Sequence, residues 1–350
     1  MDRNIETAHS LFKQKKYQQT IDACKQILNT DAKSIEALRL VAKSHFSMGE
    51  MKDASFYLNK ALNIEPDDCE SIKDLGNIYQ VNRDLDTAKK FYKKAIEIND
   101  SYAPALTNLG SIEMSTGNEQ EGLSLLIKAT EAEPLLSTAW MNLANGFLLL
   151  RKSEEAEISC KKAIEIDPYF FEYHFQLARI LIEQNKLEKA EKSLRKVIAL
   201  NPNFFQAYLN LGLLLKDLGR LEEAEVSTRE GIKLNEANFN SHYLLSIILI
   251  KQKKLEEAEN SLRKVIALNP NYFQAYLNLG SLLKDLGRLE EAEVCTRKAI
   301  ELNSEYAIAY STLGTILSSL GKLQDAELNT RKAIELKPDF ADAHYNLGII

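Results

Sequence analysis

The sequence predicts an all-α solenoid, a stack of helix–turn–helix repeats each of which must bury its apolar face on the next. Three observations predict it. Residues 190–235 and 258–303 match at all but seven of 46 positions, at an offset of 68. A shorter period of 34 underlies that offset, because Pro66, Pro134, Pro168, Pro202, Pro270 and Pro338 are all separated by multiples of 34. Within each period, apolar residues fall at helical spacing on both sides of a short turn.

The segment Phe205 to Asn238 shows how each element arises. Tyr208, Leu211, Gly212 and Leu215 lie along one face of a first helix. Gly219 follows as a left-handed C-cap. Leu221 opens a second helix, with Glu222 and Glu223 in the first turn, where the macrodipole favours negative charge. Ala224 is small enough for the two helices to approach closely. Glu225 and Arg229 are four apart in the favourable order for an ion pair. The pair recurs as Glu191–Arg195, Glu259–Arg263, Glu293–Arg297 and Glu327–Arg331, which predicts a solvated face. Proline then stops the second helix. Where proline is missing, Ala32, Asp100, Glu236 and Ser304 fill its slot, so the register holds throughout. Ten complete repeats occupy residues 1–340, and 341–350 begin an eleventh. Neighbours must stack to cover their apolar faces.

The fourth repeat departs from this pattern. Glu113 stands where an apolar residue is usual and Gly122 where alanine is usual, with Gly117 between them. Glycine weakens a helix by roughly 0.5–1 kcal/mol relative to alanine, so Ile112 to Gly122 is expected to be the least stable stretch.

Composition narrows the functional classes. A hydrophobic share of 45% with 27% charged residues fits a folded chain. The net charge of −6, with both signs interleaved, argues against a general grip on nucleic acid. Met1 to Lys16 has no apolar signal-like core, and the apolar runs near Phe147 to Leu150 and Ile247 to Ile250 are too short to span a bilayer. Cys24, Cys69, Cys160 and Cys295 are scattered without a C-x-x-C pair and read as thiols in a reducing compartment. The expectation is a cytoplasmic protein without cofactor or metal. No H-E-x-x-H, G-x-S-x-G or P-loop occurs, and the carboxylates recur with the repeat, so catalysis by this segment is not expected. His174, His242 and His344 fall where Trp140 or Tyr208 sits in other repeats, which makes them packing residues.

The spacing resembles the tetratricopeptide signature W-x2-L-G-x2-Y…A-x3-F…P. Trp140, Leu143, Ala144, Phe147, Ala156, Ala163 and Pro168 occupy it in the fifth repeat. Tyr276, Leu279, Gly280, Leu283, Ala292 and Ala299 do so in the ninth. The long array with N-L-G and N-L-A triplets is similar to the superhelix that precedes the catalytic part of protein O-GlcNAc transferases, and to bacterial arrays joined to glycosyl- or sulfotransferase domains. The resemblance implies a right-handed superhelix that binds protein or peptide on a concave face lined by the first helices.

Three sets of residues are candidates for that binding. Asn108, Asn142, Asn210, Asn278 and Asn346 share position six of the repeat, resembling the asparagine ladder of the transferase superhelix. An asparagine amide both donates and accepts, so it can satisfy a peptide group. Leu40, Asp74, Gln176, Leu244 and Thr312 interrupt the ladder, though Gln176 can do similar work. The alternative is that asparagine is simply a common polar residue at this position. Lys73, Asn77 and Asn108 match three of the five residues with which chaperone-binding members of the family clamp a terminal carboxylate. Thr138 and Asn142 stand where that clamp needs basic residues, so chance overlap with the ladder is the competing reading. Phe175, Ile182, Leu209, Leu213, Tyr243, Ile247, Ile250 and Leu277 place apolar character on positions expected to face inward. They form either a partner-binding patch or contacts buried between adjacent first helices.

The leading expectation is a scaffold that holds an extended or helical segment of a partner protein. The runner-up is the substrate-recruiting region of a larger glycosyl- or sulfotransferase whose catalytic domain lies beyond Ile350. The apolar ending Leu347, Gly348, Ile349, Ile350 suggests a fragment and a surface on which another copy could stack.

Overall fold

A computed structural model describes residues 3–350 of a chain that divides into two compact bodies, Met1–Asn185 and Lys186–Ile350. The N-terminal body holds α1 (Arg3–Lys13), α2 (Tyr17–Thr30), α3 (Ile35–Ser47), α4 (Met51–Ile64), α5 (Cys69–Val81) and α6 (Leu85–Ile98). It continues with α7 (Ala103–Ser115), α8 (Glu119–Ala132), α9 (Ser137–Leu149), α10 (Ser153–Ile166) and α11 (Phe171–Glu183). The C-terminal body holds α12 (Leu187–Leu200), α13 (Phe205–Asp217), α14 (Leu221–Leu234), α15 (Phe239–Lys251) and α16 (Leu255–Leu268). Its remaining helices are α17 (Phe273–Asp285), α18 (Leu289–Leu302), α19 (Ala307–Ser319), α20 (Leu323–Leu336) and α21 (Ala341–Ile349). From α4 onward every helix starts 34 residues after its counterpart in the preceding repeat, as an all-α solenoid requires. The division between bodies falls at Asn185, within a repeat, where nothing in the register marks a break. No helix among the described residues is long and apolar enough to cross a membrane.

The turn inside each repeat closes the first helix with a pair of backbone bonds. In the seventh repeat Gly219 N–H donates to the Lys216 carbonyl at 3.1 Å and Arg220 N–H to the Leu215 carbonyl at 2.9 Å. This closure needs a left-handed residue. Gly49, Gly117, Gly219, Gly287 and Gly321 supply it with φ between 74° and 92°. Lys15, Arg83, Arg151, Asn185 and Lys253 adopt it without being glycine, at φ between 58° and 63°. A side chain in this region costs about 1–2 kcal/mol, partly offset by the greater unfolded-state entropy of glycine. Arg83→Gly is therefore expected to stabilise the chain by roughly 0.5–1 kcal/mol, read as a higher urea midpoint. An unchanged or lower midpoint would count against a strained turn.

The second helix ends in extended backbone whether or not proline follows. Asn201, before Pro202, has φ −138°, and Asp31, before Ala32, has φ −135°. Packing of the next repeat therefore sets the exit, and proline reinforces it. The core is built from fully buried small residues where helices cross, such as Ala88, Ala224, Ala258 and Ala292, between larger ones such as Leu194, Leu215 and Leu262. In the C-terminal body Leu245, Leu249, Leu262, Leu279, Leu283 and Ile316 join one cluster, so each helix pair finishes the core of its neighbour.

The expected weakness of the fourth repeat is not what the packing shows. A Cβ on Gly122 would lie 2.7 Å from the Met114 backbone nitrogen and 2.8 Å from the Gly110 carbonyl oxygen. Glycine there lets α7 and α8 touch backbone to backbone. Glu113 is 2% exposed, and Lys89 Nζ donates to its Oε2 at 2.8 Å, with Asn118 donating as well.

Of the five recurrent Glu–Arg pairs, Glu327–Arg331 is solvated as its spacing predicts, whereas in the other four the arginine is exposed and the glutamate is sheltered. The side chains of Glu191, Glu225, Glu259 and Glu293 are only 14–15% exposed. Each carboxylate meets a second cation from the next repeat. Arg220 reaches Glu191 at 2.6 Å, Lys254 reaches Glu225 at 2.6 Å, Arg288 reaches Glu259 at 2.8 Å and Lys322 reaches Glu293 at 2.6 Å. The result is an ionic seam that ties consecutive repeats together.

Burial alone would raise the Glu191, Glu225 and Glu259 carboxyls, but the cationic hydrogen bonds win and hold them below the ordinary value. For Glu293 the Lys322 bond is the largest influence. A depressed folded-state pKa gives stability that is fully present above the unfolded value, 4.5, and is lost as pH falls through the folded one. The chain's urea midpoint should therefore drop as pH is lowered from 6 to 3. Changing these four glutamates to glutamine should flatten that dependence; an equally steep profile would remove the seam from the explanation.

Candidate functional site

Positions two, five, six and nine of the first helix share one face, because they fall within two turns at helical spacing. In the N-terminal body this face is largely polar, and its polar side chains bond from one first helix to the next. His9 Nε2 meets Glu36 at 2.8 Å, linking α1 to α3. Arg39 reaches Asp68 at 2.9 Å and Glu70 at 2.7 Å, with Lys43 also on Glu70, linking α3 to α5. Burial would raise the Glu70 carboxyl, but the Lys43 and Arg39 charges bring it below its usual value. Asn108 Nδ2 donates to Asn77 Oδ1 at 2.8 Å, Ser111 Oγ to Asn142 Oδ1 at 2.7 Å, and Gln176 Nε2 to Asn145 Oδ1 at 2.8 Å. Position six thus pairs with position nine of the preceding repeat.

The ladder residues therefore have a structural task. Each amide nevertheless has more capacity than that task uses: two N–H donors and an oxygen with two lone pairs. Asn142 spends one further donor on the Thr138 carbonyl at 2.8 Å, whereas Gln176 accepts from Arg179 at 3.1 Å. Position nine was not singled out from the sequence. Its signal was there in the polar run His9, Lys43, Asn77, Ser111, Asn145 and Arg179.

Lys73, Asn77 and Asn108 do come together, but around a carboxylate of the chain's own. Lys73 is ion-paired with Asp74, and Asn77 Nδ2 donates to the same Asp74 oxygen at 3.2 Å. The Tyr92 hydroxyl lies 2.8 Å from the Asn77 amide oxygen, and burial pushes its pKa up, so it stays a neutral donor. An incoming carboxylate would have to displace Asp74 and overcome its negative charge. This is the physical reason the partial clamp does not resemble a ready anion site.

In the C-terminal body the ladder continues with different partners. Asn278 Nδ2 donates to the Tyr243 hydroxyl at 3.0 Å, joining α17 to α15, and Asn346 Nδ2 donates to Ser311 Oγ at 3.2 Å. Asn210 is half-buried. The apolar positions divide. Leu213 is 43% exposed, Leu209, Tyr243, Ile247 and Ile250 are half-buried, and Leu277 is 6% exposed. Leu277 is thus corrected from groove to core, where it packs on Ala299 and Ala309 with Tyr276, Ile300 and Tyr306 around them. Phe175, half-buried, and Ile182, exposed, lie in the N-terminal body.

The histidines act as their positions imply. Trp140 Nε1 donates to the Pro134 carbonyl at 2.9 Å. His174, His242 and His344 make the same contact through Nε2, to the carbonyls of Pro168 at 2.9 Å, Glu236 at 3.0 Å and Pro338 at 2.8 Å. A carbonyl only accepts, so each ring carries its proton on Nε2. Burial raises the Cys24 and Cys160 thiols to about 12, which keeps them protonated and unreactive. His45, Glu50 and Asp53 bring ligand-type atoms within 4.8 Å of one another at the turn after α3. The 2.6 Å contact of His45 Nδ1 with Glu50 accounts for that grouping as a helix-end bond.

Comparisons with known proteins agree with this architecture. Models described as tetratricopeptide repeat match residues 11–76, 74–102, 137–170, 159–192, 205–238, 273–306 and 307–340. A further model, described as TPR repeat, matches 178–219 and 247–287. No curated protein sequence matches the chain. Among solved structures, PilF of Pseudomonas aeruginosa aligns with a TM-score of 0.54 at 20% identity, covering 61% of this chain and 97% of its own. A chain of the Cut9–Hcn1 hetero-tetramer of the APC/C aligns with a TM-score of 0.50 at 13% identity, covering 100% and 96%. At such identities both likenesses speak to the fold. With helix pairs every 34 residues and repeat matches over 11–102, 137–238 and 247–340, the chain belongs to the tetratricopeptide repeat family.

Proposed function

We propose that the chain is a protein-interaction scaffold that holds an extended or helical segment of a partner along the face of its first helices. The observation that carries this reading is the row of amides at position six. Asn108, Asn142 and Gln176 in one body, and Asn278 and Asn346 in the other, are each fixed by a neighbouring repeat while keeping donors and acceptors unused. Fixed amides lose little freedom when a peptide arrives. Each new bond contributes about 0.5–1.5 kcal/mol net, so affinity comes from several acting together. Half-buried Leu209 and Ile247 and exposed Leu213 add an apolar strip in the C-terminal body.

The test uses peptides selected from a random display library on the whole chain. Changing Asn108, Asn142, Asn210 and Asn278 together to alanine should weaken those peptides at least tenfold while circular dichroism reports an intact helical fold. Unchanged binding would remove the amides from the contact surface and overturn the proposal.

A further inference from the structure

The side of the C-terminal body formed by second helices carries an open apolar groove of about 500 Å³ between α12 and α14. Its walls and floor include Ile198, Tyr208, Leu211, Leu215 and Val226, and Val226 stands 63% exposed. Ser227 keeps the groove open: its hydroxyl is spent on the Tyr208 carbonyl at 2.9 Å, and no larger side chain fills the space. The rim carries three carboxylates, Glu222, Glu223 and Glu230, and the guanidinium of Arg195; Glu223 is paired with Arg195 and with Arg220 just outside the rim, which leaves Glu222 and Glu230 facing the opening.

The chain contains a control for this groove in its own duplication. Residues 190–235 and 258–303 differ at only seven positions, and two of those are groove residues. Ser227 becomes Cys295 and Glu230 becomes Lys298. A third difference completes a reversal. Glu230 pairs with Lys233 at 2.6 Å, whereas Lys298 pairs with Glu301 at 2.8 Å. Both copies keep an i,i+3 ion pair, so helix stability does not account for the exchange. What changes is the sign of the charge at the rim and the room beside it. The apolar residues Tyr208, Leu211, Leu215 and Val226 recur unchanged as Tyr276, Leu279, Leu283 and Val294.

We propose that the α12–α14 groove docks an amphipathic helix of a partner protein, with apolar anchors in the groove and basic residues against Glu222 and Glu230. The groove walls are helices whose backbone groups are already bonded, so an extended peptide would find no backbone partners there. A segment that satisfies its own backbone and projects anchors at i, i+3 and i+4 fits this surface. The volume lies in the range of about 300–1,000 Å³ typical of binding sites. The acidic rim sets the charge of the partner, and the neutral rim at Lys298 is the reason the duplicate groove does not share it.

The test titrates the full chain into a fluorescent 15-residue helical peptide of leucine and lysine, leucines at i, i+3, i+4 and i+7, in 0.15 M salt. A second peptide carries glutamate in place of every lysine. The lysine peptide should bind saturably at one site, at least tenfold more tightly than the glutamate peptide. Ser227→Trp, which fills the groove, and Glu230→Lys with Lys233→Glu, which together copy the duplicate rim, should each weaken it at least tenfold. Cys295→Ser with Lys298→Glu and Glu301→Lys should raise the stoichiometry from one to two. Absent saturable binding, equal binding of the two peptides, or binding untouched by both groove substitutions overturns the proposal. So does binding lost on Leu213→Ser, which would move the contact to the first-helix face. Should Ser227→Trp not fold by circular dichroism, the Glu230→Lys, Lys233→Glu exchange and the two-site variant decide.

Discussion

Gly122→Ala is expected to destabilise the chain by roughly 1–3 kcal/mol, although alanine is the better helix former. Propensity alone predicts a gain of about 0.5–1 kcal/mol. The packing reverses the sign. The added methyl would sit 2.7 Å from a backbone nitrogen and 2.8 Å from both a backbone oxygen and Met114 Cγ. Backbone atoms of α7 cannot rotate away as a side-chain tip can, so α7 and α8 must separate. Leu126, fully buried beneath the same crossing, loses contact when they do. Gly231→Ala is the matched control. There the nearest atom is Tyr208 Cβ at 3.3 Å, and the duplicate already carries Ala299. That substitution should be neutral or mildly stabilising. Urea unfolding of both variants compares them directly, and amide exchange in α7 and α8 localises the effect. A gain in stability for Gly122→Ala would show that the helices part without cost and return propensity as the deciding term.

The comparison of these two glycines shows what the sequence discloses and what it withholds. The period of 34 places helix starts, because a register needs only spacing. It also identifies His174, His242 and His344, because a side chain at Trp140's position meets the same preceding carbonyl. Contacts between repeats are less legible, since they depend on how far one helix slides along the next. Asn108 was recognised as a polar face residue, but its bond to Asn77 needs the α5–α7 offset. Glu191 was recognised with Arg195 four residues on, but its depth comes from Arg220 in the following repeat. Leu277 is expected on the inward face and is instead enclosed among its neighbour Tyr276 and, from farther along the sequence, Ala299, Ala309 and Tyr306. The acidic groove between α12 and α14 was legible only as two of seven mismatches whose location on one surface required the fold.

Lys89→Met is the second large expected loss. Glu113 lies where Leu215 and Leu283 occupy the same position in later repeats, yet its side chain is 2% exposed. Burial would raise its carboxyl, but hydrogen bonds from Asn118 and Lys89 and the Lys89 charge hold it below the ordinary value, so it is ionised at neutral pH. Removing one partner of a buried ion pair typically costs about 3–5 kcal/mol, because the remaining charge keeps its desolvation penalty. Lys89 is 19% exposed, which places the expected loss toward the lower end of that range. Asn118 remains as a donor, but an amide does not neutralise a carboxylate. Protonation offers the one relief, so the variant should lose least at low pH, opposite to the wild-type dependence on this group. Adding Glu113→Leu to Lys89→Met removes the stranded charge and restores the apolar residue of the other repeats. The double variant should therefore be more stable than Lys89→Met alone by at least about 2 kcal/mol, measured by urea unfolding at pH 7. If both variants unfold at the same midpoint, the carboxylate is reached by water in solution, and the pair is a surface contact that contributes little.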